Sequence, residues 1–228
     1  MKKKAIVLLS AGLDSTANLY LAVRELDVVL NLTFDYGQKA ADQEIESAKK
    51  ISKTLKIEHQ VIQLPWLKHL GHSALTQNSK SVPTGNKISI DDLKVSTRSA
   101  KSVWIPNRNG IFLNIAAGFA ESLGASVIIP GFNEEEAATF PDNSYDFIRA
   151  MRKSLHYSTA NHVDITCYTV SMSKNEIVKF GQDLMIPFTD TWPCYQNFDK
   201  WCGECESCLR AKRAFKANRV DVMGNFLK

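Results

Sequence analysis

Cys194, Cys202, Cys205 and Cys208 fall within one short stretch near the C-terminus, residues 194–208. Four thiolates are a complete ligand set for a structural zinc ion. The two-residue gaps of the Cys202, Cys205, Cys208 run let the sulfurs converge on one ion at a Zn–S distance of about 2.3 Å, and Cys194 closes the tetrahedron from the preceding loop. Such a site leaves no open position for water, so it reads as structural and not catalytic. The competing reading gives one pair of these cysteines a redox or sulfur-transfer role. Cys167 stands apart on an apolar stretch and reads as a small core residue.

A second cluster lies at the other end of the chain. The apolar run Ala5–Leu9 leads into Ser10-Ala11-Gly12-Leu13-Asp14-Ser15 and then into a helical pattern. A glycine-containing turn at a helix N-terminus offers backbone N–H groups and a positive dipole end, both suited to phosphate or pyrophosphate. Ser10 and Ser15 add hydroxyl donors. An aspartate beside a triphosphate is repelled unless a cation sits between them, so Asp14 reads as a magnesium contact, direct or through water. On the plainer reading Asp14 and Ser15 only cap the helix and Gly12 only makes the turn. The sequence contains no G-x-x-x-x-G-K-[ST], no G-x-G-x-x-G after the first strand and no G-x-S-x-G, which disfavours Walker-type hydrolysis, dinucleotide binding and a serine-hydrolase elbow.

Positioning such a loop requires a parallel sheet with crossover helices, and the first two-thirds of the chain alternates accordingly. Strands are predicted at Ala5–Leu9, Val28–Phe34, Ile57–Leu64 and Ser126–Pro130, and helices at Thr16–Arg24, Ala41–Leu55 and Gly110–Leu123. Thr76–Val103, rich in Ser, Thr and Lys with little periodicity, reads as a long loop or irregular excursion. Further on, a helix around Asn143–Ser158 and a short strand Val163–Thr169 follow. Ser173 and Glu176 then stand at capping-box spacing before a helix Lys174–Leu184. The fold class is α/β, with helices on both faces of a Rossmann-like parallel sheet and a small C-terminal zinc-binding helical segment. The division expected is 1–190 for nucleotide and substrate and 191–228 for the metal.

With 228 residues and 44% apolar content, the chain can build a sizeable core. Its formal net charge of +4 is no nucleic-acid footprint. The one basic patch is Arg210, Lys212, Arg213, Lys216 and Arg219 on the helix after the cysteines, where it either meets phosphates or offsets the charge of a four-thiolate metal site. The apolar run behind Met1-Lys2-Lys3-Lys4 is too short for a secretion signal, and nothing approaches the roughly 20 apolar residues of a membrane span. A cytoplasmic location is expected, where thiols stay reduced and clustered cysteines bind metal.

The loop Ser10–Ser15 resembles the pyrophosphate loop of the PP-loop adenylating ATPases (adenine nucleotide alpha hydrolase-like), usually Ser-Gly-Gly-x-Asp-Ser, with Ala11 in place of the first glycine. Together with the cysteines, the segments Phe34–Gln38, Ile105–Asn109, Phe140–Asp142, Ser173-Lys174, Thr191–Tyr195 and Cys202–Arg210 resemble the 7-cyano-7-deazaguanine synthases of queuosine biosynthesis over nearly the whole length. The resemblance implies an ATP-dependent ligase that turns 7-carboxy-7-deazaguanine and ammonia into the nitrile. It also implies one structural zinc per chain, Mg-ATP as substrate and a homodimer, with no stable nucleic-acid partner and no membrane. A tRNA-thiolating PP-loop enzyme is the alternative; it would need a larger basic surface and a metal-free cysteine near the ATP.

The nucleotide stretch implied is Leu8, Leu9, Ser10, Ala11, Gly12, Leu13, Asp14, Ser15, Thr16, Ala17 and Asn18. Asp14, Arg108 and Lys174 are the catalytic candidates, and Arg108, Asn109, Phe140 and Asp142 the substrate candidates. The planar fork of Arg108 suits a carboxylate or a phosphate; otherwise it forms a salt bridge at the start of its helix. Asp142 can accept from the amidine edge of a guanine-like ring, or can cap the helix that follows. Lys174 either neutralises phosphate or is an ordinary first-turn lysine. Two departures from the resemblance are Asn143-Ser144, where a Cys and an Arg are usual, and Lys39–Asp42 in place of a more basic segment. Glu134, Glu135 and Glu136 are either a solvated acidic run or contacts for magnesium or ammonium.

Overall fold

The computed structural model describes every residue from Met1 to Lys228. Five strands form one sheet: β1 (Lys4–Leu8), β2 (Asp27–Asp35), β3 (His59–Gln63), β4 (Val127–Ile129) and β5 (Asp164–Ile165). All pairings are parallel, in the order β3-β2-β1-β4-β5. The helices are α1 (Leu13–Glu25), α2 (Ala41–Leu55), α3 (Leu93–Val103), α4 (Arg108–Ser122), the single turn α5 (Glu134–Ala137), α6 (Tyr145–Ser158), α7 (Lys174–Asp183) and α8 (Glu206–Ala217).

Side chains of a strand alternate between faces, and here both faces are covered, which is why the strands read as unbroken apolar runs. Ala5 and Val7 of β1 and Val127 and Ile129 of β4 join Leu19 and Ala22 of α1 and Ala48 and Ile51 of α2 in one core. Ile6 and Ile128 point the other way, onto Leu113, Ala116 and Ala120 of α4 and Ile148 and Leu155 of α6. Burying an aliphatic side chain of this size contributes about 1.5–3 kcal/mol. A third core joins Leu13 and Ala17 of α1 to Ile177 and Val178 of α7, the four cysteines, Trp201 and Phe215.

The sheet order reverses between β1 and β4: β2 continues the chain on one side, and β4 arrives later on the other. In open α/β sheets the crevice at such a switch point, beyond the carboxyl ends of the strands, is where ligands sit. The Ser10–Ser15 loop leaves β1 at this crevice.

The predicted strands and helices recur with small boundary shifts except for Val163–Thr169, of which only Asp164–Ile165 pairs in the sheet. The capping box is present, with Ser173 capping α7 while the Glu176 carboxylate accepts the Ser173 N–H at 2.8 Å. The excursion 76–103 differs from expectation, because its last third is helix α3. Asp92 caps it, accepting from the N–H groups of Lys94 and Val95. Its buried residues are Ser96, Ser99, Ala100 and Val103, so small polar side chains occupy half of its inward face and hide the apolar period.

Candidate active site and cysteine cluster

The phosphate loop is tightly fastened. Gly12 is the N-cap of α1 with no side-chain cap, so Asp14 and Ser15 do not play the capping role offered by the plainer reading. The first N–H groups of α1 therefore face outward without intrahelical partners. Ser10 Oγ accepts the Gly12 N–H at 3.4 Å and lies 3.2 Å from Ser15 Oγ. Ala11 adopts φ +58°, the left-handed region that favours glycine, which explains the glycine usual at this place. Its carbonyl accepts the Trp192 N–H at 2.7 Å and ties the loop to the segment leading to the cysteines. Gly131, just past β4, comes so close that a Cβ there would lie 2.5 Å from Ser15 N.

One cleft runs from this loop across the ends of β1, β2 and β4. Leu8, Leu9, Ser10, Gly12, Leu13, Asp14 and Ser15 line it, as do Arg108, Asn109, Phe140, Asp142 and Lys174. Ala11, Thr16, Ala17 and Asn18 do not; all four are buried behind the loop. Asn18 instead clamps α1 to the segment after β5, donating to Asp14 O at 2.9 Å and accepting the Tyr168 N–H at 2.7 Å.

Asp14 and Lys174 meet in a buried ion pair, and Lys174 Nζ also lies 3.0 Å from Glu136 Oε1. Burial pushes the Asp14 carboxyl up to about 6 from its ordinary 3.8, against the pull of Lys174. Burial alone would lower the Lys174 ammonium, but Asp14 and Glu136 outweigh it and hold its pKa above the usual lysine value. Asp14 Oδ1 is buried and has no hydrogen-bond partner. An orphaned carboxylate oxygen beside free helix N–H groups fits a hard cation carried in by a polyphosphate. Lys174 is thus no ordinary first-turn lysine.

Arg108 is the first residue of α4. Its hydrogen bonds go to neutral groups, Tyr36 Oη and Asn109 Oδ1, both at 3.3 Å, and its guanidinium lies 5.8 Å from the Tyr36 ring centre. The salt bridge offered as an alternative does not form. Asn109 Nδ2 donates to Asp142 O at 3.3 Å and ties α4 to the facing loop. Burial raises the Asp142 carboxyl above its ordinary value, opposed by Arg108. Asp142 does not cap α6; Ser144 does, accepting the Phe147 N–H at 3.1 Å. Asn143, the other departure, is buried and donates to Asp142 Oδ1 at 3.3 Å, so both changed residues support the loop. Phe140 lies nearly parallel to Trp104, their ring centres 6.1 Å apart.

The cleft also holds Glu136 of the acidic run, Gln38 and Tyr195, to which the sequence assigns no definite role, and Glu44, which the sequence does not single out at all. Gln38 Nε2 donates to Glu44 Oε2 at 2.9 Å. Burial pushes the Glu44 carboxyl up to about 7, against that hydrogen bond and Arg108. Glu44 sits in an otherwise ordinary amphipathic helix, so no local signal marks it. The altered segment 39–42 is structural: Lys39 Nζ donates to the carbonyls of Ala74, Gln77 and Lys80, and Asp42 accepts from Asn197 Nδ2.

The four cysteine sulfurs lie within 4.8 Å of one another, all buried. Four thiolates at about 2.3 Å from a tetrahedral centre are spaced about 3.8 Å apart, and Cys202 and Cys208 Sγ are 3.8 Å apart. Backbone N–H groups of Gln196 and Cys202 point at Cys194 Sγ, and those of Glu204 and Cys205 at Cys202 Sγ, at 3.3–3.4 Å. Such donors suit thiolates, so the cluster fits a tetrahedral metal. Cys167 is remote from this set; its sulfur contacts Phe132 and Thr169. Of the acidic run only Glu134 is exposed to solvent; Glu136 pairs with Lys174, and Arg210 and Arg213 do not reach for phosphate but pair with Glu135.

The family profile described as "Queuosine biosynthesis protein QueC" matches residues 4–219. A 7-cyano-7-deazaguanine synthase of Bdellovibrio bacteriovorus is 56% identical over 221 residues, 96% of each chain. One from Methanosarcina barkeri is 44% identical over 219 residues, 93% of this chain and 94% of that one. Among solved structures, a 4-thiouridine synthetase in complex with RNA and bound ATP superposes with a TM-score of 0.52 at 16% identity, covering 96% of this chain and 50% of that one. That likeness is one of fold, the PP-loop ATPase fold. The extent of the profile match and the identity to these synthases leave one conclusion: the chain belongs to the QueC family of queuosine biosynthesis proteins.

Proposed function

We propose that this protein is an ATP-dependent ligase that converts 7-carboxy-7-deazaguanine and ammonia into 7-cyano-7-deazaguanine. The observation that carries the reading is that the phosphate loop, with its orphaned Asp14 oxygen, faces Arg108 and Asp142 across a single cleft. A carboxylate is a poor electrophile because its leaving group would be oxide. Transfer of adenylyl from ATP to a carboxylate oxygen, with pyrophosphate leaving, supplies a better one; ammonia attacks the carbonyl carbon, loses a proton and expels the activated oxygen as AMP while the amide forms. A second activation, on the amide oxygen, lets that oxygen leave while the nitrogen gives up its two protons to make the nitrile.

In this reading the N-terminus of α1, Ser10 and Ser15 bind phosphate oxygens, and Lys174 stabilises charge developing on them. Magnesium arriving with ATP neutralises phosphate charge beside Asp14. Arg108 anchors the carboxylate under attack, Asp142 takes the amidine edge of the ring, and Phe140 and Asn109 hold that edge in place. The cysteines hold one structural zinc ion. Residues 191–228 act as a brace packed on 1–190, a role supported by the core shared among α1, α7, α8 and the cysteines.

The reading extends to a cytoplasmic homodimer with no stable nucleic-acid partner. No helix is long and apolar enough to cross a membrane. Incubating the purified protein with 7-carboxy-7-deazaguanine, ammonium and Mg-ATP, with no RNA, is expected to yield the nitrile. Failure to do so, together with thiolation of tRNA when a sulfur donor is present, would replace this reading with a tRNA-thiolating one.

A further inference from the structure

Glu135 is the junction of a buried ionic network that the chemistry above leaves unused. Its Oε1 accepts the Lys174 backbone N–H at 2.9 Å. Its Oε2 accepts Arg210 Nη1 at 2.7 Å and Arg213 Nη2 at 2.6 Å. Arg210, with a side chain only 7% exposed, spans two carboxylates, since its Nη2 donates to Glu206 Oε1 at 2.8 Å. The other oxygen of Glu206 takes the Ser99 hydroxyl of α3. Arg210 lies on α8 two positions after Cys208, so the network begins beside the cysteine cluster.

The next residue, Glu136, holds the Lys174 ammonium at 3.0 Å. Consecutive glutamates on the single turn α5 thus grip one lysine at both ends, Glu135 by its N–H and Glu136 by its ammonium. Burial pushes both carboxyls upward, but their cationic and N–H partners outweigh it and keep them below the ordinary value. A lysine side chain is long and mobile, and fixing it beside Asp14 requires a rigid partner. A turn of four residues is not rigid alone, whereas two guanidinium groups on Glu135 fix its orientation. For packing alone an apolar side chain at position 210 would serve as well, because buried ion pairs add little net stability over apolar residues of equal volume.

We propose that Arg210 is a positioning residue for the ATP-dependent step: through Glu135 it sets the α5 turn, so that Glu136 presents the Lys174 ammonium at the phosphate loop. The cysteine-bearing helix and the nucleotide site are coupled by this route. The inference rests on the reading of Lys174 as a phosphate-facing group.

The test compares Lys174→Ala, Arg210→Gln, Glu135→Gln, the Arg210→Gln/Glu135→Gln double variant and the milder Arg213→Gln. Mg-ATP affinity is measured by titration calorimetry, metal content by atomic emission, and KM for the carboxylate substrate separately. Arg210→Gln and Glu135→Gln are expected to weaken Mg-ATP binding by about tenfold, the loss of one charge-assisted hydrogen bond. Metal content and the KM for the carboxylate should not change. The double variant should be no weaker than the worse single, because the two residues act in series. Arg213→Gln, which leaves Arg210 in place, should give about a threefold loss in the same sense, and decides the matter if Arg210→Gln does not fold.

Mg-ATP affinity unchanged in folded, metal-loaded Arg210→Gln or Arg213→Gln would overturn the positioning role while Lys174→Ala still weakens binding. Equal weakening toward both substrates would overturn it too, as general loosening of the site. If Lys174→Ala itself binds Mg-ATP like the parent, the reading of Lys174 falls and the inference with it.

Discussion

Asp14 and Lys174, 160 residues apart in the chain, close on each other as a buried ion pair at the start of α1. The ammonium occupies one side of the carboxylate and leaves Asp14 Oδ1 buried without a hydrogen-bond partner. Without ligand, Lys174 balances a charge that magnesium and phosphate would share when ATP binds.

Asp14→Asn should therefore fold, because Glu136 still pairs with Lys174, while kcat/KM for Mg-ATP falls by about 10²–10³. Because burial raises the Asp14 carboxyl from 3.8 to about 6, the ionised form that meets the cation accumulates only as pH rises through that value. The parent enzyme is expected to show an acid limb near pH 6 in kcat/KM for Mg-ATP. A profile flat from pH 5 to 8 by roughly tenfold-resolved kinetics would contradict the assignment.

Glu44 gives a pH signature in stability instead of rate. Its folded-state pKa, about 7, lies above the ordinary 4.5, so the folded protein holds this proton more tightly than the unfolded chain does. Its contribution is full below pH 4.5 and is lost as pH rises through 7. Glu44→Gln, which keeps an acceptor for Gln38, should stabilise the protein at pH 8 by on the order of 2 kcal/mol. The gain should vanish near pH 4, as read from urea midpoints at the two pH values. Equal midpoints at pH 8 would show that Glu44 ionises freely in the cleft.

Gly131 tests the close approach of β4 to the phosphate loop. A methyl group there would collide with Ser15 N and Cα at 2.5 and 2.6 Å, backbone atoms that cannot step aside. Gly131→Ala is expected to destabilise by about 1–3 kcal/mol through overpacking and to weaken Mg-ATP binding by moving the helix start. Parental stability and affinity together would contradict the approach seen here.

Removal of one cysteine should act on the fold before it acts on chemistry. Cys205→Ser is expected to lose the metal and to destabilise the protein by on the order of 4 kcal/mol, because metal binding is folding free energy for such a segment. Thermal melts with parallel metal analysis check it. A metal-free variant with the parental melting temperature would remove the bracing role.

What the sequence reveals and what it hides differ by physical cause. β1, the turn at Gly12 and α1 are legible because apolar period, loop chemistry and helix signals coincide there. Residues 194–208 are legible because metal ligands are local in the chain. Helix α3 is hidden because Ser96 and Ser99 occupy its buried face, where periodicity expects apolar residues, although Asp92 offers a cap signal. The fate of Glu135 and Glu136 is hidden for another reason. Their partners Lys174, Arg210 and Arg213 lie 38 to 78 residues away, and only the fold brings them together. Glu44 is hidden since its raised pKa comes from burial in the cleft, which no spacing records.

The fate of one carboxyl group distinguishes the ligase reaction, and product analysis reads it directly. Purified, metal-loaded protein is given 7-carboxy-7-deazaguanine, Mg-ATP and ¹⁵N-ammonium, and the heterocyclic product is identified by mass spectrometry. The expected product is the nitrile, carrying one ¹⁵N and neither oxygen of the starting carboxylate. Recovery of the unchanged acid, or of the labelled amide alone with ATP still in excess, would contradict the two-step conversion to the nitrile.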